Sequence, residues 1–235
     1  MTGAALSLQG VHTFIGQFHI LEGISLEAPA NSVTALLGRN GAGKTTTLRS
    51  IMGIYHPTQG TIQYKGQAIQ GKRAYEIAHL GIGYVPDYRA IFKQLTVEEN
   101  LMIAERSKGD LDKKKGFIFQ LFPDLERLYQ WPGGQLSGGQ QQMLAIARAL
   151  VPDNELLLID EPSEGLAPVI IEQMMRAILQ LSEHVTVLLV EQNFRVASHL
   201  ANSYVIIENG KSVHAGLMAD LVKDQVLINR YLSAA

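Results

Sequence analysis

Residues 38–45 have the types and spacing needed to hold a chain of phosphates. They read Gly-Arg-Asn-Gly-Ala-Gly-Lys-Thr and follow the apolar run Val33 to Leu37. Their three glycines let the backbone turn through positive φ and bring amide N–H groups close to a polyphosphate. Lys44 can reach the β- and γ-phosphates, and the Thr45 hydroxyl is placed to bind Mg²⁺. This spacing predicts a site for a nucleoside triphosphate with Mg²⁺.

The residues on either side place this loop between a strand and a helix. The apolar run before it is β-prone, and residues 46–51 continue from it with helical character. The start of a helix adds unpaired amide groups and the positive end of the helix dipole, and both favour phosphate. We therefore expect the nucleotide to contact Gly38, Arg39, Asn40, Gly41, Ala42, Gly43, Lys44, Thr45 and Thr46.

Two acidic residues follow the apolar run Leu156 to Ile159. Such a run is typical of a strand buried on both faces of a parallel sheet, so Asp160 and Glu161 are expected at its carboxyl end. Asp160 is predicted to bind Mg²⁺, because a hard cation prefers oxygen ligands held rigidly. Glu161 is predicted to polarise a water for attack on the γ-phosphate, which contributes about 10²–10⁴ in rate. A GTPase is disfavoured because the chain has no Asn-Lys-x-Asp motif.

A second phosphate-binding helix start is predicted at residues 136–140, Leu-Ser-Gly-Gly-Gln. The spacing of a serine and a glutamine here is that of a capping box, and the two glycines expose amide hydrogens. The loop at 38–45 already surrounds one triphosphate, so this second helix start makes more sense if it reaches the nucleotide of another subunit. The residues predicted to do so are Ser137, Gly138, Gly139 and Gln140.

Composition limits the possible partners. The net charge of −2 and pI near 6.4 predict no basic face for nucleic acid, and Lys113 to Lys115 are expected on a solvated helix face. The absence of cysteine excludes a disulfide framework, and the seven histidines show no spacing typical of metal ligands. Residues 1–10 do not resemble a secretory signal, and no run of about 18 apolar residues occurs. Any membrane role is therefore expected to come through a partner.

The remaining pattern predicts an α/β fold. Antiparallel strands are expected at Leu6–Thr13 and Ile24–Glu27, with Phe14 and Phe18 in the loop between them, where they either stack on a nucleobase or pack under the hairpin. The other predicted strands are Thr61–Tyr64, Ile82–Val85, Val185–Val190, Tyr204–Ile207 and Lys211–His214. Predicted helices cover Lys72–Leu80, Val97–Arg106, Lys113–Leu121, Ser137–Leu150, 170–181, Leu217–Lys223 and Val226–Leu232.

Together these motifs resemble the ATP-binding subunit of an ATP-binding cassette (ABC) transporter over nearly the whole chain. Residues 38–45 are similar to its Walker A motif, 156–160 to Walker B, 136–140 to the signature sequence and 163–167 to the D-loop. The resemblance implies a P-loop NTPase cassette with a mostly parallel core sheet, an antiparallel β subdomain and a helical insertion. Residues 1–235 then form one domain, with the nucleotide-binding core at 1–87 and 136–235 and the insertion at 88–135.

Further matches resemble one branch of the family, the second ATPase of importers of branched-chain or hydrophobic amino acids. They include Tyr-Val-Pro at 84–86 and Val-Glu-Gln-Asn at 190–193. The resemblance implies ATP and Mg²⁺ as ligands, a second cassette as partner, either identical or a sibling, and integral membrane permease subunits. A solute-binding protein outside the membrane is an indirect partner, and the chain is expected on the cytoplasmic face of the inner membrane. Urea or short-amide import, a weakly hydrolysing nucleotide switch, and a soluble cassette of DNA repair or translation remain alternatives.

The chain departs from most cassettes at three positions. Asp87 replaces the usual glutamine, so its contact with Mg²⁺ or the attacking water is expected to be weaker or water-mediated. Gln192 replaces the usual histidine, and its amide can still donate to the γ-phosphate. Ile15, with Phe14 beside it, aligns with the aromatic residue that usually stacks on adenine. We also expect Tyr88 to Phe92 to line the groove that receives the permease, with Ile91 and Phe92 exposed for that contact.

Overall fold

The computed structural model describes residues 4–232, which form two sheets with helices packed around them. The strands are β1 (Ala4–Ile15), β2 (Phe18–Pro29), β3 (Val33–Leu37), β4 (Gln59–Tyr64), β5 (Gln67–Ala68), β6 (Ile82–Val85), β7 (Leu156–Asp160), β8 (Thr186–Val190), β9 (Ser203–Glu208) and β10 (Lys211–Leu217). The helices are α1 (Lys44–Ile51), α2 (Ala74–His79), α3 (Val97–Met102), α4 (Asp110–Leu121), α5 (Pro123–Arg127), α6 (Gly138–Leu150), α7 (Pro168–Ser182), α8 (Phe194–Leu200), α9 (Met218–Leu221) and α10 (Gln225–Tyr231).

The core sheet has the strand order β10-β9-β3-β8-β7-β6, and β10 is its antiparallel edge. Every residue of β3, β7 and β8 is buried, which explains their continuous apolar sequences. Because these three strands are parallel neighbours, their carboxyl ends lie at one edge of the sheet. Asp160 is directly paired with Val190 there, as the sequence predicted for a buried parallel strand.

The second sheet is antiparallel, in the order β2-β1-β4-β5. Its first two strands are longer than predicted and pair up to Ile15 opposite Phe18. The prediction that Phe14 and Phe18 lie in a loop is therefore wrong, because Phe14 is within β1 and Phe18 begins β2. Aromatic and β-branched residues extend the ladder to a two-residue turn. This sheet shares an apolar core with α1 and the core sheet.

The insertion contains α3, α4 and α5, which pack with α6 on the other side of the core sheet. The structure confirms the two predicted helices here but ends the first at Met102, short of Arg106. Two short helices, α5 and α8, were not predicted because each has too few residues to show a helical period. The first of the two C-terminal helices is shorter than predicted, at four residues, whereas the second keeps its predicted length but begins one residue earlier, directly after its cap Asp224.

No helix within residues 4–232 is long and apolar enough to cross a membrane. The expectation about a secretory signal concerns residues 1–10, of which 1–3 lie outside the described part of the chain.

The segment Tyr88 to Phe92 connects β6 to the insertion. Tyr88 is 68% exposed and Phe92 is 45% exposed. Ile91, in contrast, is half-buried and packs against the core formed by the insertion and α6. The prediction that Ile91 is exposed is therefore wrong, because the turn that exposes its neighbours directs this side chain inward.

A buried asparagine holds this segment against the insertion. The Asn100 side chain has no solvent exposure and accepts from the Phe92 amide at 2.9 Å. Its amide group lies within hydrogen-bond distance of the Phe92, Leu95 and Thr96 carbonyls, at 2.9, 3.1 and 2.9 Å. One side chain in α3 thus satisfies several backbone groups of a loop that lacks its own secondary structure.

Replacing Asn100 with alanine should lower the free energy of unfolding by about 1–3 kcal/mol, because buried backbone groups lose their partner. Urea denaturation followed by circular dichroism measures this change. Gln94→Ala, at an exposed position of the same loop, is the control and should change stability by less than about 0.5 kcal/mol. Equal stability of the two variants would show that the asparagine does not anchor the loop.

Candidate active site

The loop at 38–45 connects β3 to α1 and depends on glycine at two positions. Gly38 has φ of 146°, and a Cβ there would lie 2.2 Å from the Ile207 carbonyl oxygen. Gly43 is the N-cap of α1 with φ of 110°, and a Cβ there would lie 2.8 Å from Leu21 Cδ2. The loop can therefore pass close to β9 and β2 only without side chains at these two positions. The first turn of α1 begins at Lys44 and presents its amides at the loop.

The ammonium group of Lys44 is buried within the loop. Its Nζ donates to the carbonyls of Gly38 and Arg39, at 3.0 and 3.2 Å, and lies 3.3 Å from Glu161 Oε1. Burying a charge is costly unless the charge is paired and hydrogen-bonded. The Lys44 ammonium meets this condition, because Glu161 pairs with it and the two carbonyls accept its hydrogen bonds. The pair joins the end of β7 to the loop after β3.

Asp160 is fully buried at the end of β7. The Thr45 hydroxyl donates to its Oδ1 at 3.1 Å, and the Tyr84 hydroxyl donates to its Oδ2 at 3.3 Å. The pKa of the Asp160 carboxyl is raised to about 6, chiefly by burial; the nearby Asp87 and Glu161 carboxylates act in the same direction, and the Thr45 and Tyr84 hydrogen bonds oppose the shift. Burial also raises the pKa of the Tyr84 hydroxyl, so this tyrosine stays a neutral donor.

Glu161 points away from Asp160 although the two are adjacent. Its φ of 44° is unusual for a residue other than glycine, and its amide donates to the Val190 carbonyl at 2.9 Å. This backbone conformation ends β7 and directs the second carboxylate toward Lys44. Two neighbouring acids thus occupy different surroundings, as the sequence predicted.

A cavity of about 450 Å³ lies over the loop. Its volume lies within the range of ligand sites in proteins. Ile15 and Ile20 line it from the antiparallel sheet, together with Asn40, Gly41, Gly43, Lys44, Thr45, Thr46 and Glu161. It therefore has an apolar wall for a base and a polar floor for phosphates, which fits a nucleoside triphosphate.

Phe14 does not line this cavity. Its ring stacks on His19 with the centroids 4.2 Å apart and the planes nearly parallel. His19 in turn is hydrogen-bonded to His12 across the hairpin at 3.0 Å. A contact of Phe14 with a nucleobase stays a prediction, whereas Ile15 stands at the cavity wall.

Asp87 and Gln192, two of the predicted catalytic residues, lie on opposite sides of this site. Asp87 is exposed, follows β6, and has an oxygen 4.0 Å from Arg49 Nη2. Gln192 is exposed after β8 and lines a separate cavity of about 270 Å³ with Glu161, Ser163 and Glu191. Both are therefore close to the ends of β6, β7 and β8, where the sequence placed them.

The second predicted phosphate-binding helix start lies at α6. The capping box is confirmed: the Ser137 hydroxyl accepts from the Gln140 amide at 3.3 Å, and Gln140 Oε1 accepts from the Ser137 amide at 2.9 Å. Ser137 and Gly138 are exposed, whereas Gly139 is buried against Ile170 of α7. None of these residues lines the cavity over the loop.

The sequence model of the family described as ABC transporter matches residues 21–164, which is more than half of the chain. The chain belongs to the ABC transporter family. This cassette is 40% identical over 230 residues to the high-affinity branched-chain amino acid transport ATP-binding protein BraG of Pseudomonas aeruginosa, and the match covers 97% of this chain and 99% of BraG. It is 34% identical to the probable branched-chain amino acid transport ATP-binding protein LivF of Archaeoglobus fulgidus, over 89% of this chain and 90% of LivF.

Solved cassettes share the fold of this one. The ADP conformation of MJ1267, an ATP-binding cassette of an ABC transporter, superposes with a TM-score of 0.85 at 24% identity, over 97% of this chain and 98% of that one. A dimeric post-hydrolysis state of the cassette MJ0796 bound to ADP and Pi superposes with a TM-score of 0.79, at 24% identity over 91% of this chain and 98% of that one. The predicted family, the α/β cassette fold and the ATPase class are therefore confirmed.

Three features of the site were not predicted from sequence: the Tyr84 hydrogen bond to Asp160, the Lys44–Glu161 ion pair, and the buried Glu191. A tyrosine in an otherwise apolar strand was the available signal for the first. For the third, the signal was an acid directly after a strand as apolar as β8.

The raised pKa of Asp160 predicts how its replacement changes stability with pH. The Asp160 carboxyl binds its proton more tightly in the folded state than in the unfolded chain. The protonated carboxyl therefore contributes to the free energy of unfolding in full below pH 3.8, and this contribution is lost as the pH rises through about 6. The loss corresponds to about 3 kcal/mol. Asp160→Asn should therefore increase the free energy of unfolding of the nucleotide-free protein at pH 7.5, and the increase at pH 5 should be roughly half as large. Urea denaturation in the presence of EDTA measures both values.

Asp153→Asn is the control with the opposite sign. Asp153 is exposed, and its ion pair with Lys114 lowers its pKa. That variant should be slightly less stable than the natural protein at pH 7.5. An Asp160→Asn variant that is also less stable at pH 7.5 would contradict the burial cost assigned to this carboxylate.

Proposed function

We propose that this cassette is the ATP-hydrolysing subunit of an importer of branched-chain or other hydrophobic amino acids. The observation that carries the proposal is the meeting of Lys44, Thr45, Asp160 and Glu161 at the shared edge of β3 and β7. These four side chains supply a phosphate-binding cation, two oxygen ligands for Mg²⁺ and a carboxylate base.

ATP is bound by the glycine loop, with its phosphates over the first turn of α1. Lys44 then contacts the phosphates in place of the Gly38 and Arg39 carbonyls. Glu161, released from Lys44, holds the attacking water in line with the γ-phosphate. The Gln192 side chain donates to the γ-phosphate from the neighbouring strand end.

Mg²⁺ fits the oxygen atoms of Thr45 and Asp160, which lie 3.1 Å apart and are both suitable ligands for a hard cation. Asp87 completes this side of the site, directly or through water. The ion supplies charge neutralisation on the phosphates. A divalent cation also favours the charged form of Asp160, which burial opposes.

A dimer of cassettes closes the site. The α6 start is capped and partly exposed, yet it lies outside the cavity of its own chain. It therefore suits contact with the nucleotide of a second cassette through Ser137, Gly138, Gly139 and Gln140. Closure depends on the γ-phosphate, because both subunits contact it, and hydrolysis removes the differential contact that favours the closed state.

The transported solute is inferred from the similarity of this chain, almost end to end, to BraG and LivF, which are branched-chain amino acid transport ATP-binding proteins. Such an assembly requires permease subunits in the membrane, a solute-binding protein outside it, and this cassette peripherally on the cytoplasmic face. No nucleic acid partner is proposed.

The permease contact is proposed at Tyr88 to Phe92. The Phe92 ring stacks on the Arg148 guanidinium, 4.9 Å from its centroid, and Arg148 Nη1 donates to the Ala90 carbonyl at 2.5 Å. A groove of about 250 Å³ opens beside this segment, lined in part by Arg89, Arg106 and Arg148. Two exposed aromatic side chains, Tyr88 and Phe92, beside a cationic groove suit a membrane partner that inserts a short helix.

Glu161→Gln should abolish ATP turnover and stabilise an ATP-bound dimer, because the variant retains the binding contacts but lacks the base. Phosphate release measures the first effect and size-exclusion chromatography with ATP and Mg²⁺ the second. Glu183→Gln, at an exposed position after α7, is the control and should hydrolyse ATP normally.

Adding Ser137→Arg to Glu161→Gln should return the protein to monomers, since a large cation then occupies the proposed contact. Unchanged turnover in Glu161→Gln would favour a different base. A dimer that survives the arginine would place the contact elsewhere.

Replacing Tyr88 and Phe92 together with serine should reduce co-purification with the permease at least tenfold while leaving ATP turnover of the isolated cassette within twofold. Ile91 is left unchanged, because it packs against the core and its replacement would affect folding as well as docking. Tyr75→Ser, an equally exposed aromatic position on α2, is the matched control. Normal assembly of the double variant would refute this docking site.

A further inference from the structure

Glu191 is a buried carboxylate that the proposed chemistry does not use. It follows β8 directly and is only 1% exposed. Its backbone amide lies 3.5 Å from the Leu36 carbonyl of β3. Acidic residues are rarely buried to this extent without a specific partner.

The Glu191 carboxylate binds two separate loops with its two oxygens. Oε1 accepts from the backbone amide of Ser163 at 3.1 Å. Oε2 accepts from the backbone amide of Asn193 at 3.0 Å. The first loop follows Glu161 after β7, and the second carries Gln192 after β8. One side chain therefore connects the segment that carries the base to the segment that carries the γ-phosphate donor.

The loop that contains Gln192 is short and well held on its far side. The Asn193 side chain caps α8 by accepting from the amides of Arg195 and Val196, at 3.1 and 3.4 Å. Gln192 is thus flanked by Glu191, which is anchored to the 163 loop, and by Asn193, which is anchored to α8. The Glu191 carboxylate is therefore the direct link between the loop at 163–167 and the residues on both sides of Gln192.

We propose that Glu191 is a positioning residue that makes Gln192 and the loop at 163–167 move as one unit. This rests on the proposed function, in which Gln192 contacts the γ-phosphate. Ser163 and the exposed Glu164 of the 163–167 loop line the same cavity as Gln192. Contact of a second cassette with this loop therefore sets the position of the Gln192 amide.

The proposal needs a carboxylate and not merely a polar side chain of this size. Both bound groups are N–H donors, so both side-chain atoms that face them must accept. Glutamine has one acceptor and one NH₂ group, and that NH₂ group would face a backbone N–H. Burial raises the pKa of Glu191, while the hydrogen bonds with Ser163 and Asn193 favour its charged form.

The test is a double-mutant cycle in ATP hydrolysis by the purified full chain. Glu191→Gln should lower kcat about 10- to 100-fold, since a displaced contact near the transferred group has an effect of this size. The KM for ATP should stay within twofold, because the 38–45 loop is untouched. Gln192→Ala should lower kcat comparably, and the double variant should be no slower than the slower single variant. Glu183→Gln is again the control.

Two further measurements separate positioning from folding. Glu191→Asp keeps both acceptors and should retain more kcat than Glu191→Gln, although glutamine has the closer shape. Hydrogen exchange of the Ser163 and Asn193 amides should be slow in the natural protein and at least tenfold faster in Glu191→Gln, with thermal midpoints recorded for each variant.

Multiplicative losses in the double variant would overturn the proposal, because they would show that Glu191 acts independently of Gln192. Unchanged exchange at both amides would also overturn it. Failure of the proposed function would give a different result, because the natural protein would then show no ATP turnover at all. That result would remove the positioning role. The hydrogen-exchange data would still show whether the Glu191 carboxylate joins the two loops.

Discussion

The structure of the site depends on one buried carboxylate that joins three elements. Asp160 ends β7, accepts from Thr45 at the start of α1, and accepts from Tyr84 of β6. These two donors reduce the free-energy cost of burying the Asp160 carboxylate, and the part of the cost that remains raises its pKa to about 6. A parallel sheet provides this geometry, because neighbouring strands bring their carboxyl ends to the same edge.

The other charges at this edge are arranged so that each has a partner before nucleotide binds. Lys44 is paired with Glu161, and Glu191 is held by backbone amides. In the proposed mechanism, the triphosphate replaces Glu161 as the partner of Lys44, whereas Glu191 keeps its two backbone amides. Preorganised charges of this kind need little rearrangement when the reaction occurs, which is the main source of catalytic power in polar sites.

Much of this arrangement could be predicted from the sequence, because the strands that build it are buried on both faces. The apolar runs of β7 and β8 are each followed directly by an acidic residue, so the sequence predicts both the strand and the residue at its carboxyl end. The glycine loop was equally predictable, since its conformation requires φ values that few other residues adopt. The family motifs then extended the assignment to the capped start of α6, whose capping box the structure confirms.

What could not be predicted depends on side-chain direction. Nothing in the spacing of Phe14 and Ile15 shows which one faces the nucleotide, since adjacent residues of a strand point to opposite faces and the register decides. The inward turn of Ile91 and the orientation of Glu191 have the same origin: each follows a strand end where the backbone leaves its regular path. Short helices such as α8 add to this, because a seven-residue helix is specified by its cap rather than by a period.

The same reasoning accounts for the position of the α6 start, the second predicted phosphate-binding element, outside the cavity of its own chain. Gly139 lies against Ile170, where a Cβ would be 2.5 Å from Cγ2, and a Cβ at Gly138 would lie 3.3 Å from Arg89 Nη1. The α6 start is therefore packed closely against α7 and lies beside Arg89 of the segment after β6. In the proposed function, the nucleotide that this capped helix start contacts is therefore the one bound by a second cassette. Since Arg89 belongs to the segment proposed to contact the permease, the proposed permease contact and the proposed dimer contact are neighbours in the structure.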